Sequence, residues 1–138
     1  MMKNSLLITL MALCINSANA ELWVITHQQS NVSTLTPQQV SDVYLGRLLG
    51  NNTPLQPIEI NSDELRRRFY FALTGKPLVK IDAYWARLQF AGQQKPPRRL
   101  ADQTSVIKSI SLNQNQIGFI EANSLPSNSG VKVVLKLE

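Results

Sequence analysis

The chain has 138 residues, with 14 basic and 9 acidic side chains, a formal net charge of +5, one cysteine and one histidine. One cysteine excludes an internal disulfide framework, and a single histidine with no clustered thiols excludes the common metal-ligand patterns. The positive balance suits anionic partners in general and selects none of them.

The first twenty residues divide into three parts. Lys3 gives a positive start, Leu6 to Ile15 form a mostly apolar run, and Ala18-Asn19-Ala20 place small residues where a signal peptidase reads. The expectation is a secretory signal peptide, Met1 to Ala20, cleaved between Ala20 and Glu21; the alternative is an uncleaved N-terminal helix. The run is about half the roughly 20 apolar residues that a membrane span needs. Cys14 lies inside the run with Leu13 before it, which does not fit lipid attachment at that thiol. Removal of the peptide leaves one cysteine-free domain, Glu21 to Glu138, with 13 basic residues against 9 acidic ones. No later apolar run approaches spanning length, so no membrane anchor is expected after cleavage.

Leu22 to Thr26 is β-branched and aromatic and predicts a buried first strand. After a polar loop, Thr36-Pro37-Gln38-Gln39 opens a helix: Thr at the N-cap, Pro at the first position and Gln at the third agree. Val40, Val43, Tyr44 and Leu45 supply its apolar face, and Gly46 the left-handed stop. Gly50-Asn51-Asn52 reads as a turn. Leu55 to Ile60 alternates apolar and polar and predicts a second strand, with Pro57 at an edge or at the strand's start. Asn61 and Glu64 form an expected capping box for a helix carrying Leu65, Phe69, Ala72 and Leu73 and ending at Gly75.

A third helix, Val79 to Phe90, has its stripe at Ile81, Tyr84, Trp85 and Leu88. Gly92 and Pro96-Pro97 break the chain, and Arg98-Arg99 are expected in an exposed loop, open to a ligand or a partner. Asp102 caps a fourth helix with Val106, Ile107 and Ile110 facing inward. Ile117 to Ile120 and Val131 to Leu137 predict two more strands. Alternating strands and helices without repeats predict one α/β domain with a small sheet.

Candidate chemistry is sparse. His27 has no partner motif for a triad, there is no P-loop and no G-x-G-x-x-G, and a hydrolase reading lacks a constellation. No cofactor is implied. Nucleic-acid binding would want a denser basic stripe interleaved with aromatics. Arg66-Arg67-Arg68 on a helix point about 100° apart, so they share no surface, and Asp63–Arg67 and Glu64–Arg68 are expected as i,i+4 pairs on a solvated face. Anion binding by Arg66 is the alternative. The two N-x-S/T matches, at Asn31 and Asn51, matter only in a eukaryotic secretory pathway. One site has a physical argument: Asn61 and Ser62 precede a helix N-terminus whose free N–H groups and dipole favour an anion. Asp63 and Glu64 fill the same positive end and oppose it.

Several stretches together resemble a known family. These are Leu35 to Val40, Val43-Tyr44-Leu45-Gly46-Arg47, Arg68-Phe69-Tyr70, Leu73-Thr74-Gly75-Lys76, Tyr84-Trp85-Ala86-Arg87, Phe90-Ala91-Gly92 with Pro96-Pro97, and Ile117-Gly118-Phe119-Ile120. In this order they are similar to the short periplasmic relatives of phosphate-binding proteins of bacterial ABC importers. The resemblance spans roughly Leu22 to Leu137. It implies a type 2 periplasmic-binding-protein-like fold, reduced to a single lobe with a small mixed sheet flanked by about four helices. It also implies a periplasmic location in a Gram-negative bacterium, a small anion such as phosphate as ligand, and an ABC permease or an envelope protein as partner. The departure is equally specific. Full-length phosphate binders carry an arginine and then Ser-Gly-Thr, where this chain has Ile58 and Ser62-Asp63-Glu64. Two functions follow: anion capture at Asn61, Ser62 and Arg66 for an importer, or an interaction or sensory protein that has lost the ligand site.

Overall fold

In the computed structural model, residues 20–47 and 55–137 are described. The apolar run of the expected signal peptide and the Gly50-Asn51-Asn52 turn lie outside them. The elements are β1 (Leu22–His27), α1 (Pro37–Tyr44), β2 (Gln56–Ile60), α2 (Asp63–Thr74), α3 (Leu78–Phe90), β3 (Arg98–Leu100), α4 (Gln103–Leu112), β4 (Gln116–Glu121) and β5 (Val131–Leu137). The five strands form one mixed sheet in the order β3-β2-β4-β1-β5. β2 runs parallel to both β3 and β4, and β1 runs antiparallel to β4 and β5.

Local signals set the element ends. Thr36 Oγ1 accepts from the Gln39 amide and Gln39 Oε1 from the Thr36 amide, a complete capping box. Gly46 and Gly75 take φ of +67° and +71° after α1 and α2, the left-handed geometry that glycine adopts without strain. Asp102 accepts from the Ser105 amide at the start of α4, and hydrogen bonding by Ser105 holds its carboxyl below the usual range.

Three expectations are corrected. Ser62, not Asn61, caps α2: its Oγ accepts from the Leu65 amide, while the Asn61 amide donates to Leu100 O. The cause is β3, because Arg98-Arg99-Leu100 is a strand beside β2 and not a loop, and it draws Asn61 into the sheet margin. Ala72 is exposed, and the buried face of α2 consists of Leu65, Arg66, Phe69, Tyr70 and Leu73. Pro57 takes the second of its two expected places, at the start of the strand, where its missing N–H is tolerated at the second position of β2.

The sheet is covered on both sides. On β4, Gly118 lies against Val106 and Ile110 of α4, and a Cβ there would come within 2.8 Å of both side chains. Its neighbour Phe119 points to the opposite face and stacks on Phe69 of α2, with ring centroids 3.9 Å apart. Tyr44 of α1 meets Phe69 and Phe119 edge-on at 4.8 and 6.1 Å. The Tyr44 hydroxyl, fully buried, reaches Ile58 O at 2.9 Å and Ile117 O at 3.3 Å, which ties α1 to β2 and β4. α3 packs on α2, and its buried residues are Ile81 and Trp85.

The Gly118 contact gives the first test. Gly118→Ala is expected to lower stability by about 1–3 kcal/mol through overpacking against α4, read as a lower urea midpoint with an unchanged slope.

Candidate functional site

Strand β2 carries Ile58-Glu59-Ile60, and the period of two sends Glu59 to the face opposite its neighbours. Ile58 lies beside Gly118 on the α4 side, so Glu59 faces α2. Helix α2 covers it completely: Glu59 is 2% exposed. A buried carboxylate must be hydrogen-bonded and charge-paired to persist, and α2 supplies both. Arg66 Nε donates to Glu59 Oε2 at 2.7 Å, and the Tyr70 hydroxyl, one turn on, donates to Glu59 Oε1. From the parallel neighbour β3, in register with Glu59, Arg99 brings its Nε to 3.4 Å from Oε2.

Arg66 is itself almost fully buried. Its Nη2 donates to Asp82 of α3 at 2.7 Å and its Nη1 to Asp63 of α2 at 3.4 Å. Arg99 also approaches Asp82, at 3.9 Å. All three guanidinium nitrogens of Arg66 therefore face carboxylates of its own chain. Burial works against the Arg66 charge, but hydrogen bonding and attraction from Asp82 and Glu59 outweigh it and hold the group above its ordinary value. Burial, then the Glu59 charge, pushes the Tyr70 and Tyr44 phenols well above theirs.

The residues singled out from the sequence thus meet here with unequal roles. Ser62 caps α2 and is half-buried, Asn61 is exposed beside it, and Arg66 lies one turn further in, bound to Glu59, Asp82 and Asp63. The solvated face expected for Arg66 is corrected: the packing of α2 on β2 turns it inward. The expected i,i+4 pairs are also replaced. Asp63 pairs with Arg66, while Arg68 reaches Glu121 Oε2 at 3.0 Å and the Ala20 carbonyl. Glu59, Tyr70 and Asp82 were missed, and Arg99, expected in an exposed loop, stands in β3 beside Glu59. The only signal for them was a lone acid between two isoleucines in a short strand, which has the same pattern as an outward-facing residue.

Glu59, Asp63 and Asp82 against Arg66 and Arg99 leave the cluster one negative charge in excess. An anion arriving at the start of α2 would meet that excess together with Glu64. Among the described residues, no group of three or more His, Cys, Asp or Glu side chains is placed to hold a metal ion. His27 has a local role, its Nδ1 accepting from the Gln29 amide at 3.0 Å. No described helix is long and apolar enough to cross a membrane.

No family model and no curated protein matches the chain. Solved structures do. One, from Clostridium perfringens, is described as a phosphate ABC transporter substrate-binding protein with bound phosphate; it superposes with a TM-score of 0.59 at 23% identity, over 83% of this chain and 44% of that one. Another is an ABC-type phosphate transport receptor from Vibrio cholerae, with a TM-score of 0.60 at 17% identity, over 83% of this chain and 46% of the receptor. The likeness shows the fold: a periplasmic-binding-protein α/β architecture of single-lobe size. The chain spans less than half the length of the proteins it matches.

Two outcomes test the cluster. Arg66→Ala leaves Glu59 buried with a weaker pairing and is expected to lower stability by about 3–5 kcal/mol in urea unfolding, whereas Arg66→Met with Glu59→Leu recovers most of the loss. The two buried phenols stay protonated in the folded protein beyond pH 10, while in the unfolded chain they ionise near 10. Their contribution is therefore full below about pH 10 and is lost as pH rises through the folded-state values. Tyr44→Phe should flatten that alkaline decline in urea midpoints followed upward from about pH 9.

Proposed function

We propose that this chain is a substrate-binding-protein-like module of the bacterial envelope, exported by residues Met1 to Ala20 and acting in the periplasm as a non-enzymatic recognition protein, with Glu21 to Glu138 as its single domain. The observation that carries this reading is the internal filling of its arginine site. In the start of α2, where the fold presents a helix N-terminus, the chain's own Glu59, Asp82 and Asp63 take up the guanidinium of Arg66. The module then works as an interaction or sensory accessory to an envelope assembly, the anion's place being held by fixed carboxylates. Both solved neighbours are described as binding proteins or receptors and neither as an enzyme, which supports the non-enzymatic part of the proposal.

A second reading is capture of phosphate or another small anion for an ABC importer, through Asn61, Ser62 and Arg66. It is favoured by the bound phosphate of the Clostridium perfringens structure and by the position of Ser62 at the start of a twelve-residue helix. Against it stands the local excess of negative charge, because a phosphate brought there must displace carboxylates already paired with the arginine.

Calorimetric titration of the domain with phosphate at low and moderate salt separates the two. The first reading expects no saturable heat at millimolar phosphate. Saturable binding that Ser62→Asp weakens about tenfold or more would establish the second and remove the first.

A further inference from the structure

Helix α3 divides its charges between two sides. Asp82 turns toward Arg66 and Arg99 and belongs to the cluster described above. Lys80, Ala83, Tyr84 and Arg87 stand at i, i+3, i+4 and i+7, so they share one stripe. That stripe faces the end of α1 across a hollow of about 390 Å³, within the usual range of small-molecule sites. Arg47, Lys76, Lys80 and Arg87 form its rim and Tyr84 and Ala83 its accessible floor, with the buried side chains of Leu45 and Ile81 closing it from beneath.

The two walls are tied together. The Tyr84 hydroxyl donates to Leu45 O at 2.6 Å, and Gln94 Nε2 to Gly46 O at 3.2 Å. These bonds occupy carbonyls at the end of α1 that would otherwise oppose an anion. The Arg87 guanidinium lies 6.0 Å from the Tyr84 ring centroid, a cation–π contact that favours its place over the floor. α3 begins at Pro77 with no side-chain cap and no acid in its first turn, so its positive end is unshielded beside Lys76 and Lys80. Among the described residues no carboxylate lines the hollow, and the one ion pair made by its rim is Arg47 with Asp42, at 3.7 Å. Like charges gathered at one rim repel each other, and an anion relieves that repulsion.

We infer that this hollow binds a small organic anion with a ring-sized body, the body lying against Tyr84 and Ala83 and the charged head meeting Lys76, Lys80, Arg47 and Arg87. The site is separate from the start of α2 and does not depend on what happens there. The Tyr84 ring distinguishes it from a site for a bare inorganic ion, which would gain nothing from contact with an aromatic face.

The test is amide chemical-shift titration of the full domain with phenyl phosphate, against inorganic phosphate and benzyl alcohol. Saturable shifts at Lys80, Tyr84 and Arg87 are expected, with phenyl phosphate binding at least about fivefold more tightly than either comparator, since only it has both head and body. Lys80→Glu and Arg87→Glu, both at exposed positions, should each weaken binding about tenfold. Raising the salt should weaken it severalfold. Ser62→Asp should leave it unchanged, which separates this site from the α2 start. Equal affinity for inorganic phosphate, shifts confined to residues around Ser62, or no effect of the two charge reversals would each overturn the proposal.

Discussion

A carboxylate buried on a strand sets the terms for everything packed against it, because in a low-dielectric interior an unpaired charge costs several kcal/mol. Glu59 occupies that position on β2. Its burial requires Arg66 and Tyr70 from one face of α2, and it brings Arg99 of β3 into register beside it. Arg66 then draws in Asp82, which links α3 to the same cluster. Four elements are thus held together by one acid, and the helix face that satisfies it is fixed in rotation and register.

The aromatic core fits around this constraint. Tyr70 belongs both to the Glu59 cluster and to the ring assembly of Tyr44, Phe69 and Phe119, with Phe69 at 5.2 Å and Tyr44 at 6.2 Å. Tyr44 in turn binds the carbonyls of Ile58 and Ile117, next to the point where Pro57 interrupts the ladder by lacking an N–H. Polar satisfaction and apolar packing are therefore made by the same side chains. That coupling suits a fold with one five-stranded sheet from which to build its core.

Much of the architecture was legible because its signals are local. The Thr36–Gln39 box, the Asp102 cap and the glycines after α1 and α2 act within a few residues, so sequence spacing specifies them. The inward stripes Ile81–Trp85 and Val106–Ile107–Ile110 follow from helical period alone. The candidate site was legible only in outline. Ser62 and Arg66 were in view, but the partners that define their chemistry, Glu59, Asp82 and Arg99, lie on three other elements. A three-residue strand such as Arg98–Leu100 carries too little pattern to be told from a loop, and without it neither the Asn61 hydrogen bond nor the Arg99 contact could be foreseen.

By itself the sequence determined the α/β class, the order of every element but β3, the caps of α1 and α4 and most of the apolar core, since each depends on residues a few positions apart. Tertiary structure alone decided which charges are buried and which are free. Glu59 and Arg66 read as ordinary surface residues until α2 is laid on β2. Lys80 and Arg87 become a rim only when α3 faces the end of α1, while Asp82 on the same helix is turned away to Arg66. The reason is that a charge's energy depends on its surroundings in space, and neighbours along the chain supply only a small part of them.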